Sequence, residues 1–190
     1  MSEESPKPAK KKRATMKEEE PLSLERKMEH LDKLHDIVNH MSKVNEAANV
    51  LVDRMVRADG ATELTVEFGI RLIQRVRSHD ISKLSGVEWE YLNKATKEEK
   101  PDLFLLALKQ HWANNSHHPE FFVGGIKEMT DLDLAEMACD LRARSQELDG
   151  GGLRDFLKNE VTNKYRITTS SLAYRKLKKY IDILLDDTFG

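Results

Sequence analysis

From Leu31 to Met55 the apolar side chains recur at steps of three and four: Leu31, Leu34, Val38, Met41, Val44, Ala48, Leu51 and Met55. That spacing follows one face of an α-helix and fits no strand, whose apolar positions alternate. Runs of alternating β-branched residues are scarce elsewhere and no internal repeat is present, so the partners of this helix should be other helices. A second helix is expected from Glu63 to Arg77, with Val66, Ile70, Ile73 and Val76 inward. Ser85-Gly-Val-Glu88 has the form of a capping box opening a short helix with Trp89 and Leu92. Pro101 suits the first turn of a helix carrying Leu103, Leu106, Leu108 and Trp112. Asn114 to Gly125 reads as a loop. Thr130-Asp-Leu-Asp133 is a second capping-box-like start, leading into Leu134, Met137, Ala138 and Leu141. Asp149-Gly-Gly-Gly152 is a break, and a last helix holds Leu172, Leu177, Tyr180, Ile181, Leu184 and Leu185, with Arg175, Lys176, Lys178 and Lys179 on its other face. The expectation is an all-α, single-domain bundle of about six or seven helices over residues 22–190.

Residues 1–21 carry no such periodicity. Lys7, Lys10, Lys11, Lys12, Arg13 and Lys17 are followed by Glu18, Glu19 and Glu20, the pattern of a disordered tail. Its basic run suits weak contact with nucleic acid; the simpler reading is a solvated tail. A net charge of −2 argues against the whole chain being a polyanion binder. No apolar run approaches a membrane span, and charge from the third residue onward argues against a secretory signal. One cysteine, Cys139, leaves no internal disulfide framework and fits a reducing compartment. A cytoplasmic setting is expected; the oligomeric state is left open.

The histidines are unevenly placed. His79-Asp80 follows the second helix, and His111, His117 and His118 crowd into His111-Trp-Ala-Asn114-Asn115-Ser-His117-His118-Pro-Glu120. Neutral imidazole and carboxylate are natural ligands for divalent transition metals. Adjacent His and Asp at a helix end can both turn toward one ion, because the backbone is leaving helical geometry there. Asp140 lies inside an apolar helix, where a carboxylate is costly unless paired or metal-bound. Each signal has an ordinary alternative: a capping pair for His79-Asp80, a polar loop for His117-His118, an ion pair with Arg144 for Asp140.

Together these residues carry a resemblance. His40-Met-Ser-Lys-Val44-Asn-Glu-Ala47-Ala48 looks like the first-ligand helix of HD-domain proteins, and His79-Asp80-Ile-Ser-Lys83 resembles their His-Asp-x-Gly-Lys motif with Ser82 in place of Gly. His111, His117-His118 and Asp140 continue the ligand order of binuclear HD enzymes such as the HD-GYP phosphodiesterases. A closer similarity is to a small phage and bacterial family without an assigned function, through His79-Asp-Ile-Ser-Lys-Leu84, Asn115-Ser-His-His-Pro-Glu120 and Met129-Thr-Asp-Leu-Asp-Leu-Ala-Glu-Met-Ala-Cys-Asp140. Leu141 stands where that family commonly has Trp. His30, His35 and His40 are spaced five apart, about 140° around a helix, so they cannot all face one ion. The Val44, Ala47, Ala48 pattern favours His40, with His35 as the alternative.

The resemblance implies one or two divalent ions (Mn, Fe, Co, Ni or Zn) held among His40, His79, Asp80, His111, His117, His118 and Asp140. It implies a metal-dependent phosphohydrolase acting on a nucleotide or cyclic nucleotide through a metal-activated water, with Asp80 and Lys83 as catalytic residues. Glu120 is expected to orient a ligand imidazole or to pair with a nearby cation, and Asn114 and Asn115 to contact substrate. HD-fold di-iron oxygenases share the ligand order, and a non-catalytic ligand-binding module is the remaining reading.

Overall fold

The computed structural model describes residues 22–147 and 152–186, and among these the architecture is all-α with no strand. The expected tail at residues 1–21 and most of the break at Asp149–Gly152 lie outside the described residues. Helix α1 spans Leu24–Asp59; Ser23 caps it by accepting a hydrogen bond from the Arg26 amide. Helix α2 spans Glu63–Val76, capped in the same way by Thr62. Two short helices follow, α3 (Gly86–Tyr91) and α4 (Lys94–Glu99). Then come α5 (Pro101–Asn114) and α6 (Asp131–Glu147). The helical run from Leu153 to Tyr165 consists of α7 (Leu153–Phe156), a π turn over Leu157–Val161 and α8 (Thr162–Tyr165). Helix α9 spans Leu172–Leu185.

Helix α6 is the axis of the fold. Residues Asp133 to Cys139 are buried without interruption, because α1, α2 and α9 all pack on it. Small residues permit this: Ala47 and Ala48 of α1, and Ala135, Ala138 and Ala143 of α6, are buried, and the separation of packed helices is set by the side chains at their contact. The same reasoning explains Gly69 inside α2, where a Cβ would come within 2.7 Å of Val52 Cγ1 on α1. Cys139 is fully buried, and burial pushes its thiol well above the ordinary range. It should therefore resist alkylation in the native protein and react only after unfolding; labelling by a thiol reagent at neutral pH in native buffer would contradict this placement.

Several expectations are corrected. The apolar face of α1 is buried only from His40 onward, and Leu31, Leu34 and Val38 are exposed. In α2 the inward residues are Gly69, Leu72 and Val76, whereas Val66 and Ile70 face solvent. Ser85 makes no side-chain cap, because Glu88 has turned inward and is buried. At Thr130 the capping box is present: Thr130 N donates to Asp133 Oδ2, and Asp133 N to Thr130 Oγ1. Helix α4 and the run from Leu153 to Tyr165 were not anticipated. No helix among the described residues is long and apolar enough to cross a membrane.

Candidate metal centre

Four elements converge beside α6. His40 comes from the middle of α1, His111 from the last turn of α5 and Asp140 from α6. His117 and His118 lie in the loop before a 3-10 turn at Pro119–Phe121. His79 and Asp80 sit where α2 breaks: Asp80 has φ 56° and ψ 15°, a left-handed conformation that Asp tolerates better than most residues. This turn buries both His79 and Asp80. The structure thus brings together all seven residues of the expected ligand set. His35 lies exposed on the outer surface of α1.

The donor atoms face one another in two groups, one of His40, His79 and Asp140 and one of Asp80, His111, His117 and His118, with the atoms of each within 4.8 Å of one another. Asp80 joins them. Its Oδ1 lies 3.4 Å from His111 Nε2 and 3.5 Å from His117 Nε2; its Oδ2 lies 3.5 Å from His79 Nε2 and 3.9 Å from His40 Nε2. Asp140 Oδ1 is 3.0 Å from His40 Nε2 and 3.9 Å from His79 Nε2. Donors about 2.1 Å from a shared ion stand roughly 3–3.5 Å apart, so most of these separations are those of ligands to one cation.

Hydrogen bonding separates the inner atoms from the outer ones. His40 Nε2, His79 Nε2, His117 Nε2, Asp80 Oδ1 and Asp140 Oδ1 are buried without a hydrogen-bond partner. On the other edge of the rings, His40 Nδ1 meets Glu147 at 3.0 Å, His79 Nδ1 meets Glu136 at 3.0 Å and His111 Nδ1 meets Glu88 at 2.9 Å. His117 Nδ1 lies 3.4 Å from the same oxygen of Glu136. A carboxylate on Nδ1 fixes the ring and places the lone pair on Nε2, the arrangement found behind metal-binding histidines; His111 Nε2 meets His118 Nε2 at 2.9 Å. Glu136 is held in turn by Arg75, which also reaches Asp133 and Ser116. These buried His, Asp and Glu groups can hold a metal ion.

The supporting acids Glu88, Glu136 and Glu147 were not anticipated. Of the two expectations for Glu120, the cation pair is the one present: its Oε1 meets Lys164 Nζ at 3.0 Å, and it orients no ligand imidazole. Asn114 and Asn115, expected at the substrate, brace the outer layer: Asn114 Nδ2 donates to Glu88 at 3.1 Å, and Asn115 Nδ2 donates to Ser82 Oγ and the His111 carbonyl. Ser82 Oγ donates to Glu88 at 2.8 Å. Lys83 Nζ donates to Asp80 Oδ2. A cleft of about 270 Å³ opens on His117, His118 and Asp140 and runs between α6 and the Leu153–Tyr165 run.

Protonation states match cation binding. Burial, reinforced by His117 and His111, holds His118 down to about 3, and burial lowers His111 as well. Burial alone would raise Asp80, Glu136 and Asp140, but the surrounding imidazoles, with Lys83 beside Asp80, hold all three well below the ordinary carboxylate range. Neutral imidazoles and ionised carboxylates are the ligating forms. The stability of the metal-free protein should follow from the same shifts. His111 and His118 bind protons more readily in the unfolded chain, so the stability they contribute is full above about pH 6.5 and is lost as the pH falls. The three depressed carboxylates contribute above their unfolded values near pH 4 and lose that contribution below them. The thermal midpoint should decline from about pH 6.5 and more steeply below about pH 4.5; a midpoint flat across this range would contradict the assignment.

No curated protein matches the chain, and no solved structure does. Residues 29–187 match the family described as "Family of unknown function (DUF5662)", and over that span, which includes every residue of the centre, the chain belongs to that family.

Proposed function

We propose that the protein is a metal-dependent phosphohydrolase of the HD type acting on a nucleotide-type phosphoester or anhydride. The observation that carries this reading is the set of partnerless donor atoms facing one another around Asp80, whose two oxygens are turned to opposite groups of histidines. His40, His79 and Asp140 would hold one divalent ion and His111, His117 and His118 a second, with Asp80 shared between them. When bound, such a pair supplies Lewis-acid polarisation of phosphoryl oxygens and a water that ionises near neutral pH. The chain's own contributions are positional and electrostatic. Glu136 orients His79 and His117 together, Glu88 orients His111 and Glu147 orients His40. Lys83 sets its side-chain nitrogen against Asp80, where it would offset phosphoryl charge developing at the centre.

The test is elemental analysis of anaerobically purified protein, then assay of a nucleotide panel with Mn, Co, Ni or Mg added back. One to two bound transition metals per chain with phosphate release supports the reading. Bound iron with an oxygen-dependent optical spectrum and no phosphate release replaces it with an oxygenase. Lys83→Ala should keep its metal and lose roughly 10²–10³ in turnover, the scale of one charge-stabilising group. Full activity would remove Lys83 from the chemistry.

A further inference from the structure

The wall of the cleft facing α6 is built on a helix that changes its pitch. The five residues Leu157–Val161 form a π turn between α7 and α8. Such turns act as one-residue insertions into an α-helix, and they concentrate at functional sites. Here the insertion has a geometric consequence. An α-helix advances about 100° per residue, so on an uninterrupted helix Phe156 and Tyr165 would point about 180° apart, with Val161 and Lys164 spread between them. Looping out one residue subtracts one step from every residue after it. Phe156, Val161, Lys164 and Tyr165 then fall within an arc of about 100°. All four line the cleft, and Glu160 lines it from the edge of the same arc.

What these residues present is unlike the rest of the site. Phe156 is 43% exposed although it is large and apolar. Met137 and Leu141 of α6 also line the cleft. Lys164 lies 4.7 Å above the Tyr165 ring and is tied to Glu120, two residues beyond His118. The cleft is therefore apolar and aromatic along one side, carries one ammonium group and the Glu160 carboxylate, and ends on His117, His118 and Asp140. Its volume of about 270 Å³ falls just below the roughly 300–1,000 Å³ of ordinary small-molecule sites. That is room for one flat ring system, not two.

We propose that this cleft seats the base of a single mononucleotide against Phe156 and Tyr165, its phosphate reaching the histidine cluster, and that the π turn sets the register that makes the seat. The proposal rests on the phosphoester reading above, and it narrows the substrate from nucleotides in general to mononucleotides.

Binding, measured apart from turnover, tests it. Metal-loaded full-length protein is titrated calorimetrically with the four common nucleoside 5′-monophosphates, ribose 5-phosphate, inorganic phosphate and a cyclic dinucleotide. At least one nucleoside monophosphate should bind tenfold or more tighter than ribose 5-phosphate. Phe156→Ala, at an exposed position, should erase that margin while metal content and inorganic phosphate binding stay as in the unaltered protein. Deleting Asn159, an exposed residue of the π turn, should do the same by rotating α8 out of register; if the deletion does not fold, Phe156→Ala decides alone. Equal binding of ringed and ringless phosphates overturns the proposal, as does a margin that survives Phe156→Ala or a cyclic dinucleotide that binds tighter than every mononucleotide. A mononucleotide that binds with the expected margin and is never hydrolysed supports the seat and overturns the hydrolase reading alone.

Discussion

Asp80→Ala should lose metal and activity together while the protein remains helical. Asp80 is the residue whose two oxygens face both groups of histidines, so its removal deprives each group of a negatively charged donor. Replacing outer supports of a metal site commonly costs 10–100-fold in affinity, and loss of a shared donor should exceed about 10²-fold. A complication is conformational. Asp80 has φ 56°, and alanine there carries left-handed strain of about 1–2 kcal/mol. Asp80→Gly separates the two effects, since glycine adopts that backbone freely and supplies no donor. Both variants should lack metal by elemental analysis, and Asp80→Gly should be the more stable of the two in the metal-free state. Full metal content in Asp80→Gly would remove Asp80 from the ligand set.

The largest effect on stability should come from Arg75→Met. The Arg75 guanidinium reaches Glu136 and Asp133, both buried. Without it two carboxylates remain in the interior with no cation from α2, and breaking a buried ion pair from one side costs about 3–5 kcal/mol. Arg75 is partly exposed, so about 3 kcal/mol is expected in denaturant unfolding of the metal-free protein. Glu136 would also lose its anchor, and metal affinity should fall roughly 10–100-fold because the same carboxylate serves His79 and His117. Arg75→Lys keeps the charge but not the planar fork and should lie between. Unchanged unfolding of Arg75→Met would show that the acids are adequately neutralised by the imidazoles.

The convergence of these seven residues was legible because histidine is far scarcer than carboxylate in this chain and its clustering is hard to produce by a surface pattern. The acids behind it were not: with 33 Asp and Glu residues, nothing in the type of Glu88, Glu136 or Glu147 sets it apart. Glu136 alone left a trace, standing one helical turn before Asp140 on an otherwise apolar stretch of α6. Ser85-x-x-Glu88 misled because a capping glutamate and a buried one share a sequence, and the choice is made by His111 arriving from α5. Helix α2 is apolar on more than one side, with Val66, Phe68, Ile70, Leu72 and Val76, so periodicity could not say which side α6 would cover. Asn114 and Asn115 were legible as polar and close to the histidines, but which way they face depends on Glu88 and Ser82. The run from Leu153 to Tyr165 hides its helix because Leu153, Leu157, Val161 and Tyr165 recur every four residues, a spacing too long for 3.6 residues per turn and natural only once the π turn is allowed.

His40 and Asp140 meet at 3.0 Å although about a hundred residues separate them along the chain. The unfolded polypeptide therefore has no prearranged centre, since the donors are distributed over three helices, the turn after α2 and a loop. An ion held by both residues would close a ring of that length, as a disulfide does, with the cross-link made and broken by ligand exchange. Such a closure acts after the bundle has formed, so its effect should fall on the rate of opening more than on the rate of collapse. The centre would then set the lifetime of the native state as well as its chemistry, and a chelator would shorten that lifetime without touching the hydrophobic core.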